Sequence, residues 1–210
     1  MDGAAPSTTS ALDTCQYEKV NLSGLSELSI SAAACWCVLR SRNVSHFHRV
    51  LDFLNAIYRA TPDLLHFRHY AKLSLGLRAE TILDLVDRNG TTAETWEVFQ
   101  QLFPDNPLDV APHATHRDLE KVLAANSSFQ NLVNNLFKDE QYRMCYMKEQ
   151  VHLDFGEPFV AVLEKLFREL LARLATALPE NRRQELTCIL ETYSVGTQSC
   201  FKDNKSLEVF

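Results

Sequence analysis

The chain has 210 residues, 46% hydrophobic and 23% charged, which is a globular rather than a disordered balance and enough material for one large domain or two small ones. A formal net charge of −6 argues against a dominant surface for nucleic acid or an anionic membrane, because neutralising phosphates takes clustered Lys and Arg. No apolar run approaches the ~18 residues of a membrane-spanning helix, and no charged-then-apolar leader opens the chain. The expectation is therefore an intracellular chain with reduced thiols. Six cysteines and five Asn-x-Ser/Thr sequons acquire a secretory meaning only behind a leader.

In chain order, residues 1–28 are rich in Ala, Ser, Thr and Gly and read as a flexible leader. A first helix is expected over 29–42, where "SAAACWCVLR" distributes apolar residues around the axis and predicts burial on most sides or cover by a partner. A second follows over 43–60. Val44, Phe47, Val50, Leu51, Leu54, Ile57 and Tyr58 recur at three-and-four spacing and fill one stripe. The third is expected to begin at Pro62, a residue favoured in a first turn, and to run to Arg88 with a bend near Gly76.

A fourth helix spans 92–103, and the proline-laden "PDNPLDVAPHA" connects it to a fifth opened by Thr115 as cap. Residues 139–153 read as helical, Pro158 starts a long helix to Leu178, and a last helix covers 180–193 before a frayed tail at 196–210. Six of the seven prolines fall between apolar-periodic segments and none inside one, as an all-helical chain requires. The reading is an all-α domain of about seven to eight helices over 29–195, without a hairpin signal or a fixed-period repeat.

Enzyme chemistry finds little footing. The six glycines are too dispersed to cradle a phosphate. Cys35-x-Cys37 lies on a helix, where residues two apart diverge by roughly 200° and cannot share one metal, so buried thiols are expected. His66-x-x-His69 and His113-x-x-His116 have a spacing that helical metal sites use, but no third ligand stands nearby and surface histidines are the plainer reading. No catalytic residue, cofactor or metal is assigned. A metal- or thiol-dependent enzyme and a direct DNA binder are the rival classes, separable by metal analysis and by a filter-binding assay.

Binding remains. Phe53 falls roughly 100° from the centre of the second helix's stripe, flanked by Ala56 and Ala60. Leu64, Leu65 and Phe67 then add more apolar surface than one helix side needs. Either another helix of the same domain covers this flank, or the second and third helices frame a groove for a partner's apolar peptide.

These residues also carry a resemblance. "AAACWCVLRSRNVSHFHRVLDFL" followed by "HFRHYAKLSLGLRAE", then "ATHRDLEKVL" and "GEPFVAVLEKLFRELLARLATALP", resemble in order and spacing the N-terminal domain of the TRF-interacting nuclear scaffold subunit of shelterin, over most of 31–179. The resemblance implies a helical fold of the telomere-repeat-factor homology type with no catalysis, located in the nucleus at chromosome ends. It implies a scaffold that captures short motifs, bridging double-strand repeat-binding factors to the subunit that recruits the single-strand-binding protein. Matched residue by residue, the family's groove positions fall on Phe53, Leu54 and Leu64, of which Leu54 belongs to the inward stripe. The family's own aromatic-x-Leu-x-Pro docking motif is absent from these residues, so this chain alone is not expected to dock the factor that reads it. A monomer is expected until a partner joins.

Overall fold

A computed structural model describes residues 27–104, 114–180, 183, 184 and 186–188. Every regular element among them is helical. Helix α1 spans 27–40, α2 Phe47–Ala60, α3 Phe67–Asn89, α4 Ala93–Leu102, α5 His116–Lys138, α6 Glu140–Cys145, α7 Val151–Asp154 and α8 Glu157–Ala177. A single 3-10 turn, Val44–His46, precedes α2, and a π-helical turn, Tyr146–Gln150, joins α6 to α7. The all-α, single-domain reading is borne out. Residues 27 and 28, expected in the leader, belong to α1; the rest of the leader, most of the proline-rich connector, most of the last helix and the tail lie outside the described residues.

The ends of the helices follow local chemistry. Thr92 caps α4 by accepting from the Thr95 amide at 3.2 Å. Thr115 caps α5 through the Asp118 amide at 3.2 Å, while its hydroxyl donates to the Asp118 carboxylate at 2.7 Å. Asp139 caps α6 through the Tyr142 amide at 2.9 Å. Each places a side-chain oxygen on a donor that the first turn leaves unpaired. Helix α3 stops at Gly90, whose φ of 66° only glycine adopts without strain.

The end of α1 is made differently. The Asn43 amide reaches back to the Val38 carbonyl (3.2 Å) and the Arg42 amide to the Leu39 carbonyl (3.1 Å), a Schellman closure. Glycine usually occupies the left-handed position of that motif; here Arg42 does, at φ 52°. Its guanidinium lands on Glu157 at the start of α8, tying the α1–α2 corner to the far end of the chain.

Two apolar clusters form the core. One joins α1, α2, the first half of α3 and the second half of α8 around Trp36, Leu54, Leu73 and Phe167. The other joins the second half of α3 to α4, α5 and the α6–α7 segment around Ile82, Phe129, Leu136 and Tyr146. Leu102, Val122 and Phe159 touch both, and α3 runs through both. That position explains its sequence, apolar on several sides instead of one.

Two expectations need correction. Within this chain helix α1 buries one stripe rather than most of its sides: Ala32, Cys35, Trp36 and Leu39 face inward, while Ile30 is 66% exposed. Helix α3 starts at Phe67, not at Pro62, because the Leu64 amide bonds back to the Thr61 carbonyl at 3.0 Å and closes a separate turn first. Helix α3 continues unbroken through Gly76. A Cβ there would lie 2.5 Å from a Leu163 methyl and 3.3 Å from the Phe159 ring, so the glycine lets α8 cross α3 closely.

Candidate docking surface

The second helix and its exit decide whether a groove exists. Helix α2 leaves the core through Thr61, whose amide (2.8 Å) and hydroxyl (3.0 Å) both bond to the Ile57 carbonyl. The chain turns once, Leu65 plugs into the core at 1% exposure, and α3 begins with the His69 and Tyr70 amides on the His66 carbonyl. Tyr70 then stacks on Tyr58 with ring centroids 4.2 Å apart and donates to the Asn55 side chain at 2.7 Å. This clamp holds the two helices as a fixed hairpin.

On that hairpin the three sequence-identified positions divide. Leu54 is 0% exposed and belongs to the first core cluster. Phe53 is 9% exposed, its ring 6.2 Å from that of Phe167 on α8. The flank that the periodicity left uncovered is covered by α8. Leu64 differs: it is half-buried and packs on the first cluster from the turn. Ala56, Ala60, Asp63 and His66 are exposed. Of the three positions, Phe53 and Leu54 are thus enclosed by the domain's own residues, and Leu64 keeps part of its surface open.

Groups with possible chemistry do not converge. Among the described residues no three His, Cys, Asp or Glu side chains come together as a metal-holding set. His66 and His69 meet edge to face at 6.3 Å, and burial together with nearby Arg173 lowers the basicity of His69. His116 pairs with Glu120 at 3.3 Å, whereas His113 lies outside the described residues. Cys35 is buried against the Arg49 carbonyl at 3.8 Å, and burial pushes its thiol up to about 11; Cys37 is half-buried. Cys145, by contrast, is exposed.

Sequence reasoning missed two further features. An open apolar hollow of about 460 Å³ lies between α5 and the α6–α7 segment, lined by Phe129, Leu132, Tyr142, Tyr146 and Phe155 among others. A second hollow of about 390 Å³ lies where the α1–α2 corner meets α3 and the α7–α8 junction, with Glu80 among its lining residues. Neither has a signal in one-dimensional periodicity, since each depends on which helices the fold brings together.

Comparison with known proteins accords with the helical pattern. The family described as TERF1-interacting nuclear factor 2 N-terminus matches residues 36–185, which span α1 to α8. The chain is 34% identical over 176 residues to TERF1-interacting nuclear factor 2 of Homo sapiens, covering 83% of this chain and 39% of that protein. It is 32% identical over 174 residues to the Mus musculus protein of the same name, covering 83% of this chain and 48% of that one. The chain thus spans less than half the length of the curated relatives it matches. With a family match that runs from within α1 through α8, this chain belongs to the TERF1-interacting nuclear factor 2 N-terminal family.

Proposed function

We propose that this domain is a non-enzymatic scaffold of telomeric chromatin that captures short apolar motifs of other shelterin proteins. On this reading it links double-strand telomeric repeat-binding factors to the subunit that recruits the single-strand-binding protein. It acts in the nucleus at chromosome ends, serves telomere protection and length regulation, and is a monomer until a partner joins. Family membership carries the reading, since the relatives are named for interaction with TERF1. The residues themselves support a binding role over a catalytic one: thiols and imidazoles are dispersed, and the net charge of −6 disfavours direct duplex binding.

The docking surface proposed is the α2–α3 turn, through Leu64 with the edge of Phe53, and with Leu54 holding both from the core. A central apolar anchor of this kind contributes about 2 kcal/mol or more, a factor of about thirty in affinity. The test titrates peptides from the repeat-binding factor and from the bridging subunit into wild type and Leu64→Glu by calorimetry. A thirtyfold weakening with unchanged helicity is expected for at least one peptide. Equal affinity of the variant for both would place the docking surface elsewhere.

A further inference from the structure

The hollow at the α1–α2 corner contains a carboxyl group with one oxygen that has no hydrogen-bond partner among the described residues. Glu80 projects from α3 into it, and its Oε1 is buried without a hydrogen-bond partner. Arg42, the cation that lines the hollow and acts on Glu80, is hydrogen-bonded to Glu157. Leu39, Phe47, Val160 and Leu163 give the hollow apolar walls, and Arg42 and Glu157 stand at its exposed rim. Its volume of about 390 Å³ exceeds by an order of magnitude the roughly 30 Å³ that one water occupies in the liquid.

We propose that this hollow is a binding site for an arginine side chain of a partner protein, with Glu80 as the counter-ion at its floor. The shape suits that ligand. An aliphatic stem lies along apolar walls while its head seeks a charge, and a planar guanidinium meets a carboxylate with two parallel hydrogen bonds. The charge balance agrees, since a chain of net charge −6 attracts basic partners. None of Phe53, Leu54 or Leu64 lines the hollow, so the site is separate from the proposed docking turn.

Binding is expected to depend on pH with a definite sign. Burial, aided by Asp84 and opposed by Arg42, pushes the Glu80 carboxyl up to about 7. Arginine binds the ionised form, so affinity rises as the pH increases through about 7 and levels off above it. The charged groups facing Glu80 are Arg42 from the corner, Asp84 from α3, His152 from α7 and Glu157 from α8.

The experiment is an amide NMR titration of the full chain with N-acetyl-arginine amide, and with N-acetyl-citrulline amide as the uncharged equivalent. Saturable shifts at Glu80 and over 155–160 are expected for the arginine probe. They should weaken about tenfold or more for citrulline and for Glu80→Gln, as loss of a charge-assisted hydrogen bond requires. Because Glu80→Gln relieves a buried unpaired carboxylate, its unfolding midpoint near pH 8 should match or exceed wild type, so a failed fold does not confuse the readout. Equal response to citrulline, retention of binding by Glu80→Gln, or no saturable shift in the hollow would each overturn the proposal. Those results would leave Glu80 a carboxyl satisfied by solvent.

Discussion

Placing an aspartate at Phe53 separates a core residue from a docking residue. On the groove reading of the sequence, Phe53→Asp removes a binding aromatic and leaves the fold helical; on the alternative, in which another helix covers this flank, it unfolds the domain. The structure predicts the second outcome, because the ring is 9% exposed and packs beside Phe167 in the first core cluster. Deleting a buried Phe side chain costs about 3–5 kcal/mol. An uncompensated carboxylate in its place adds several more, or titrates to the neutral form and still lacks partners. A domain of this kind is stable by about 5–15 kcal/mol in total. Phe53→Asp should therefore remove most of the stability, while Leu64→Glu, starting from a half-buried position on the turn, should cost about 1–2 kcal/mol. Urea denaturation followed by circular dichroism measures both. If Phe53→Asp unfolds within about 1 kcal/mol of wild type, the ring is not the core element described here. A peptide-binding defect in that variant would then report directly on docking.

Gly156→Ala should destabilise by about 1–3 kcal/mol in the same assay, because a Cβ would sit 2.0 Å from the His152 carbonyl oxygen and the α7–α8 junction would have to move. Arg42→Gly should be neutral to slightly stabilising in thermal unfolding: it relieves a left-handed residue worth about 1 kcal/mol and gives up an exposed ion pair worth about 0–1 kcal/mol. Thiol titration at pH 8 should label exposed Cys145 far ahead of Cys35, whose thiol at about 11 leaves about one molecule in a thousand as thiolate. Glu80 should make stability fall as the pH rises. Its ordinary value of 4.5 governs the unfolded chain and a value of about 7 the folded one, so its favourable contribution is complete below 4.5 and gone above about 7. Glu80→Gln should flatten that slope in denaturation series from pH 4 to 8.

How far the fold could be read from residue order depends on whether each signal was local. Thr115 marked its helix because a cap acts within one turn, and the prolines marked boundaries because their ring acts on the adjoining backbone. Pro62 misled, since the same fixed φ suits a first helical turn and an isolated one; the bond from Leu64 to Thr61 decides between them. Gly76 carries no local signal of its role, which is set by a neighbour 87 positions away in Leu163. The left-handed Arg42 hid the end of α1, where a glycine would have shown it. Glu80 looked like any polar-face residue of α3 until the corner and α8 enclosed it.

The division among Phe53, Leu54 and Leu64 bears on how a docking turn of this kind would work. A residue already enclosed by its own domain gains little from a partner, so the favourable contact has to come from one left partly bare, and Leu64 is that residue. Its position is held by its neighbours: Leu65 is locked in the core beside it, and the Tyr58–Tyr70 stack with the Asn55 bond fixes the helices on either side. An anchor fixed before binding loses little side-chain freedom when the peptide arrives, and affinity improves by that saving. Changes at Phe53 or Leu54 would then weaken binding by loosening the support of Leu64, and their effects should not add to that of Leu64→Glu. Additivity of the losses in a double-mutant cycle would instead make each residue an independent contact, and that would require the enclosed hairpin to open when the partner binds.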